Sequence, residues 1–208
     1  MRRIVLPVLL MLGACGTGGA NTIRPVEPSG YFPPALFHQT VRCASWRNGA
    51  APVMDDFEDA WYSSQLRAAG ERPLTFTADN SETLRFTWLR SFHAPMIVRI
   101  DLASGGTAIL TATKLSGAGG YAPGKVVETV SRALSAQESE RLLDLRRAAL
   151  SEPPIDCALM VDGARWIVEA SGSGGYRYVN AQSPESGAVY ELGLLMLGFT
   201  GWDVEPVY

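Results

Sequence analysis

The chain carries two histidines, His38 and His93, and three cysteines, Cys15, Cys43 and Cys157, so imidazole or thiolate chemistry would have to rest on these five side chains. A Ser-His-Asp triad is recognised by geometry and not by chain order, and His93 could serve one. The Gly-x-Ser-x-Gly elbow that exposes a nucleophilic serine does not occur. Neither do the Cys and His spacings of a zinc site. The sequence therefore assigns no catalytic, metal-binding or cofactor-binding residue. A hydrolase or small-ligand site would have to be assembled from scattered groups, and His93, Arg90, Tyr121 and Glu169 are the members best suited to one.

Each of these groups also has a structural reading. Arg90 shares the period of Leu84, Phe86 and Trp88, the face expected to be buried. A buried guanidinium needs an acceptor such as Glu169 or Asp101, a place at a sheet edge, or a bound anion. His93, next to Ala94-Pro95, reads as a hydrogen-bonding residue at a turn. The acidic run Asp55-Asp56-Phe57-Glu58-Asp59 resembles a cation site in composition only. Successive helical positions point apart, whereas metal ligands must converge. The glycine loop Gly117 to Gly124 runs into Val126-Val127-Glu128-Thr129-Val130, a strand pattern, and so lacks the helix N-terminus of a phosphate cradle.

The elements that must position these groups are readable from pattern. Acids at Asp55, Asp56, Glu58 and Asp59, Arg67 near the end and Gly70 as a stop predict a helix over 55–70, with Phe57 and Trp61 on its apolar face and Tyr62, Leu66 and Ala69 flanking it. Leu84, Phe86 and Trp88 alternate with Arg85 and Thr87, and Met96, Val98, Ile100 and Leu102 alternate with Ile97, Arg99 and Asp101. This period of two predicts strands with one buried face. Two more strands follow, at 107–113 and near 126–130. Ser135-Ala136-Gln137-Glu138 is a capping box that opens a helix to about 150. Asp162-Gly163 predicts a tight hairpin joining 158–161 to 164–169, and a glycine turn at 171–175 leads to a strand at 176–180. The apolar run 188–199 reads as a buried helix. Together these give an α+β fold: an antiparallel β meander of about six or seven strands covered on one side by two helices, plus an N-terminal helix.

Ahead of this body stand Arg2-Arg3, an apolar run from Ile4 to Leu12, and Gly13-Ala14-Cys15, the three parts of an export signal. A run of about ten apolar residues is shorter than the roughly 20 that a bilayer core requires. Leu12-Gly13-Ala14-Cys15 resembles the lipobox of bacterial lipoproteins, in which the leader is cut before a cysteine that carries lipid; Gly13 stands where that family more often has Ala or Ser. The resemblance implies a signal peptide over 1–14, lipid attachment at Cys15 and anchorage in a membrane. Gly16, in place of an Asp after the cysteine, implies the outer membrane facing the periplasm. An ordinary cleaved signal is the alternative. The Gly- and Pro-rich stretch 15–34 is expected to be a tether, and 35–208 a single domain.

Cleavage before Cys15 would remove Arg2 and Arg3, leaving 16 basic against 21 acidic residues and a formal charge of −5 in place of −3. An acidic body without a basic stripe argues against nucleic acid as a partner. Cys43 and Cys157 form an even pair suited to an oxidising compartment, either as a disulfide or as two buried thiols. The stretches "WYSSQLRAAGE", "RSFHAPMIVRI" and "DGARWIVEASGSGGYRYV" are similar to those of small bacterial envelope proteins to which no activity is attached. That similarity implies a fold and no site. The expected function is a noncatalytic binding or structural role at the envelope, with a membrane and an envelope protein or component as partners.

Overall fold

The computed structural model describes residues 29–75, 82–103 and 107–208. The leader, Cys15 and residues 16–28 of the expected tether lie outside the described residues. The last part of that stretch is not a tether, because its aromatic residues find partners. Phe32 is 1% exposed and meets Tyr62 and Tyr178 edge-on, with ring centroids 6.3 and 6.0 Å apart. Ser29 donates through its backbone N–H and its hydroxyl to the Asp59 carboxylate, at 2.7 and 2.6 Å.

A 3-10 turn at Pro34–His38 leads to two short paired strands, β1 (Thr40–Arg42) and β2 (Ala50–Pro52). Helix α1 (Asp56–Ala68) starts where its acids predict, with the Asp55 carboxylate accepting from the Glu58 N–H at 2.8 Å. Six antiparallel strands form the main sheet: β3 (Glu82–Arg90), β4 (Met96–Leu102), β5 (Ala108–Leu115), β6 (Val126–Ala133), β7 (Ala164–Ser171) and β8 (Arg177–Gln182). Their spatial order is β6-β5-β4-β3-β7-β8. The first four strands are a meander that ends at the β6 edge. Helix α2 (Ala136–Ala149) then carries the chain back so that β7 pairs with β3, and helix α3 (Ala188–Gly198) packs on α2 and β7. The capping box of α2 forms as read, Ser135 and Glu138 each satisfying the other's backbone N–H.

The first face of the sheet holds the main core. Leu84, Phe86 and Trp88 of β3, Met96, Val98 and Ile100 of β4, and Trp166 and Val168 of β7 pack beneath Leu142 of α2 and Leu192 and Met196 of α3. Each such side chain contributes about 1.5–3 kcal/mol by leaving water. Gly193 makes the close approach of α3 possible, since a Cβ there would lie 2.5 Å from Trp166 Cζ3.

The second face corrects the expected one-sided cover. It too is buried, beneath α1 and the segment 29–38, where Phe32, Leu36, Tyr62 and Leu66 meet Leu89, Ile97, Ile167 and Tyr178. The polar residues that alternate along β3 and β7 face this second layer and not solvent. Arg85, Thr87 and Glu169 are each at most 1% exposed. Hydrogen bonding within the protein, rather than water, satisfies the charged members. The buried stripe of α1 is centred on Tyr62 and Leu66, expected to flank it, and not on the expected Phe57 and Trp61: Trp61 is half-buried and Phe57 projects into solvent.

Residues 158–161 do not form the first arm of a hairpin. Both sides of β7 are taken by β3 and β8, so no edge remains for them. Asp162 does not take the positive φ a type I′ turn requires, although Gly163 does, at 129°. The segment is instead an extended loop held at its base. Cys157 is disulfide-bonded to Cys43, with Cα atoms 5.4 Å apart, and the Asp156 carboxylate accepts from the Gln182 N–H at 2.6 Å.

Candidate functional site

One end of the sheet gathers four irregular segments: the β3–β4 turn around Phe92, the glycine loop between β5 and β6, the start of α1, and the loop 157–163. The glycine loop is built for close packing against the turn. Gly119 donates to the His93 carbonyl at 3.0 Å, and a Cβ on Gly119 would lie 2.6 Å from the Arg90 backbone nitrogen. From α1, Trp61 Nε1 donates to the Gly119 carbonyl at 2.6 Å and Gln65 Nε2 to the Tyr121 carbonyl at 2.9 Å. These bonds fix Tyr121 at the rim, where its ring lies 6.1 Å from that of Phe92.

Two adjoining clefts open between these segments. One, of about 350 Å³, is lined by Trp61 and Tyr121 together with Phe57, Met160, Arg165 and Gln182. The other, of about 390 Å³, shares the last four and adds Trp46 and Leu159. The common wall is therefore apolar at Phe57 and Met160 and polar at Arg165 and Gln182.

The polar part of the wall continues into residues of α1. Arg165 lies 3.6 Å from the Glu58 carboxylate, and Tyr62 donates its hydroxyl proton to Glu58 Oε1 at 3.1 Å. Burial pushes the Glu58 carboxyl above its ordinary range, against the pull of Arg165. The Tyr62 phenol is likewise pushed up, by burial first and then by the Glu58 charge, so it stays protonated. Asn180 Nδ2 donates to the Tyr62 oxygen at 3.2 Å. Gln182 Nε2 donates to the Met160 carbonyl at 3.0 Å. Gln182 Oε1 and Trp46 Nε1 are both buried and have no hydrogen-bond partner among the described residues.

The four groups considered for a scattered site do not converge. Arg90 and His93 meet the C-terminal segment. Arg90 Nη1 donates to the carbonyls of Val204 and Pro206 at 3.1 and 2.9 Å, and its guanidinium lies over Trp88 at 4.0 Å. The expected acceptors Glu169 and Asp101 serve other arginines, because both side chains point to the opposite face of the sheet. Glu169 pairs with Arg85 at 2.8 Å, and Asp101 pairs with Arg99. His93 Nδ1 lies 2.7 Å from the Tyr208 hydroxyl, a hydrogen-bonding place at a turn. Of the four, only Tyr121 lines the clefts.

This end of the molecule can hold a ligand or a segment of another molecule. The chain matches no family model and no curated protein. Among the described residues, no group of three or more His, Cys, Asp or Glu is placed to hold a metal ion, and no helix is long and apolar enough to cross a membrane. Sequence reasoning missed Trp46, Gln182 and Arg165 as cleft residues. The apolar run Ala158-Leu159-Met160-Val161 carries the one usable signal, but its composition reads as a strand.

Proposed function

We propose that this chain is a lipid-anchored protein of the cell envelope, held through Cys15 at the outer membrane facing the periplasm. Its role is noncatalytic: it binds an envelope protein or component at the loop end of its sheet. One observation carries the binding part. Phe57, Phe92, Tyr121, Leu159, Met160 and Val161 make up six of the ten large apolar side chains exposed among the described residues. They ring the clefts at one end. Scattered exposed apolar groups need no explanation, whereas a contiguous cluster marks an interaction surface. The lipobox-like stretch Leu12 to Cys15 supports the anchor.

The experiment is photocrosslinking in intact envelopes from a probe at Val161, which is fully exposed, with a probe at the exposed Ile109, at the opposite end of β5 from the glycine loop, as control. Reproducible adducts with one envelope component from position 161 alone are expected. Absence of adducts, together with turnover in a hydrolase screen that His93→Ala abolishes, would replace the binding reading with a catalytic one.

A further inference from the structure

Trp46 and Gln182 lie 136 positions apart in the chain and line the same cleft of about 390 Å³. Trp46 brings an indole N–H, which can only donate, and Gln182 brings a carboxamide oxygen, which can only accept. Both atoms are buried, and neither has a partner among the described residues. Gln182 is 8% exposed, and its other polar groups are occupied by Asp156 and Met160. Its conformation is thereby fixed with the free oxygen left over. Leaving a buried donor or acceptor unpaired costs about 1–3 kcal/mol. A ligand that supplies both partners recovers that cost, and one that supplies neither does not.

The rest of the wall is mostly apolar, with Asp55, Glu58 and Arg165 as its charged members. Pro52, Phe57, Ile155, Leu159 and Met160 line the same cleft as Trp46 and Gln182. The cleft volume falls within the usual range for small-ligand sites, in which a few placed polar groups orient an apolar body. A secondary amide accepts one hydrogen bond and donates another while its flanking substituents can be apolar, so a chain of such amides offers a partner to each unpaired atom. Arg165 is already paired with Glu58, so the cleft offers no free cation for a carboxylate or phosphate.

From this complementarity, and resting on the reading of the loop end as a binding surface, we infer that the cleft takes an apolar peptide segment. A main-chain carbonyl of that segment accepts from Trp46 Nε1, a main-chain N–H donates to Gln182 Oε1, and apolar side chains lie against Phe57, Leu159 and Met160. Such recognition reads the backbone for affinity and leaves selectivity to the apolar pockets, as in other modes of extended-peptide capture.

The test is a ¹⁵N and methyl NMR titration of the full chain carrying Cys15→Ser, with the blocked dipeptide N-acetyl-leucyl-leucinamide as probe and 1-decanol as the apolar probe lacking an amide. The dipeptide is expected to move the Trp46 indole N–H signal downfield together with the methyl signals of Leu159 and Met160. Decanol is expected to move only the methyl signals. Trp46→Phe and Gln182→Leu should each weaken dipeptide binding by about tenfold. On the unsubstituted protein, an N-methylated dipeptide should lose a similar factor, which keeps the test decisive if either variant fails to fold. An unmoved indole signal, or one moved equally by decanol, overturns the peptide inference. If decanol alone moves the Leu159 and Met160 methyls, the loop end still binds apolar matter and only the amide recognition falls. If neither probe moves them, both readings fall.

Discussion

The Arg85 guanidinium and the Glu169 carboxylate face each other across adjacent strands as a two-pronged pair, Nε to Oε2 and Nη2 to Oε1, each at 2.8 Å. Neither side chain has any solvent exposure. Their positions are in register on β3 and β7, so the sheet itself sets the geometry. Tyr176 adds a third bond to Glu169 Oε1 at 2.8 Å, and Glu71 lies 3.5 Å from Arg85 Nη1. A polar residue considered for chemistry is thus committed to holding the second face together.

Removing one member of this pair leaves a buried charge without its partner, which costs about 3–5 kcal/mol. Glu169→Ala should therefore lower the free energy of unfolding by that amount in a denaturant titration. Replacing both members with apolar residues of similar volume, Arg85→Met with Glu169→Leu, should cost clearly less than the single change. A Glu169→Ala protein as stable as the parent would show that the pair is dispensable.

The Cys43–Cys157 disulfide joins positions 114 apart and ties the β1–β2 segment to the base of the cleft loop. Closing so long a loop in the unfolded chain gives a stabilisation of about 4–5 kcal/mol in the chain-entropy account. Cys43→Ser with Cys157→Ser should lower the unfolding free energy by up to this amount. It should also increase hydrogen exchange across 155–163, where few backbone bonds hold the loop. Unchanged exchange there would mean that Asp156 and the Gln182 contacts suffice to position it.

The residues that specify helix ends were legible because their partners are close in sequence: Asp55 with Glu58, and Ser135 with Glu138. The strands were legible through Leu84, Phe86 and Trp88. What covers their polar side was not, since alternation records which residues differ and not whether the polar ones meet water. Arg85 finds Glu169 84 positions away, and no local pattern encodes that meeting. Ala158 to Val161 has the composition of a strand, and the occupancy of both β7 edges excludes it from pairing there. Trp46 and Gln182 carry no sequence signal as cleft residues, because a missing hydrogen bond is visible only once every neighbour is in place.

Glu138 offers a titration with a defined sign. Its carboxylate accepts from Arg132 at 2.7 and 3.0 Å and from the Ser135 N–H at 2.7 Å. These bonds hold its pKa down to about 2, from an ordinary 4.5. A depressed carboxylate pKa contributes stability that is complete above the unfolded value and lost as pH falls through the folded one. Glu138→Gln keeps an acceptor for the cap but removes the charge. The variant should be less stable than the parent above about pH 4.5, and the gap should close between pH 4.5 and 2. The gap will be modest, because the pair is solvent-exposed and screened. A gap that widens toward acid would contradict the assigned role.

The proposed anchor and the proposed binding surface lie in different parts of the chain, so the two roles should be separable. Cys15 lies ahead of the described domain, and the loop end is carried by residues whose side chains contribute little to the core. Cys15→Ser should abolish acylation by mass spectrometry and release the protein from membranes, while leaving the crosslinks from position 161 available to the released protein. Val161→Asp should leave stability within about 0.5 kcal/mol, as expected for a fully exposed position, and leave the protein membrane-bound. The same charge placed among Phe57, Leu159 and Met160 would have to be desolvated by any apolar partner, so capture of that partner should fall sharply. If Val161→Asp instead released the protein from the membrane without affecting partner capture, the loop end would be a membrane contact and the docking surface would have to be sought elsewhere.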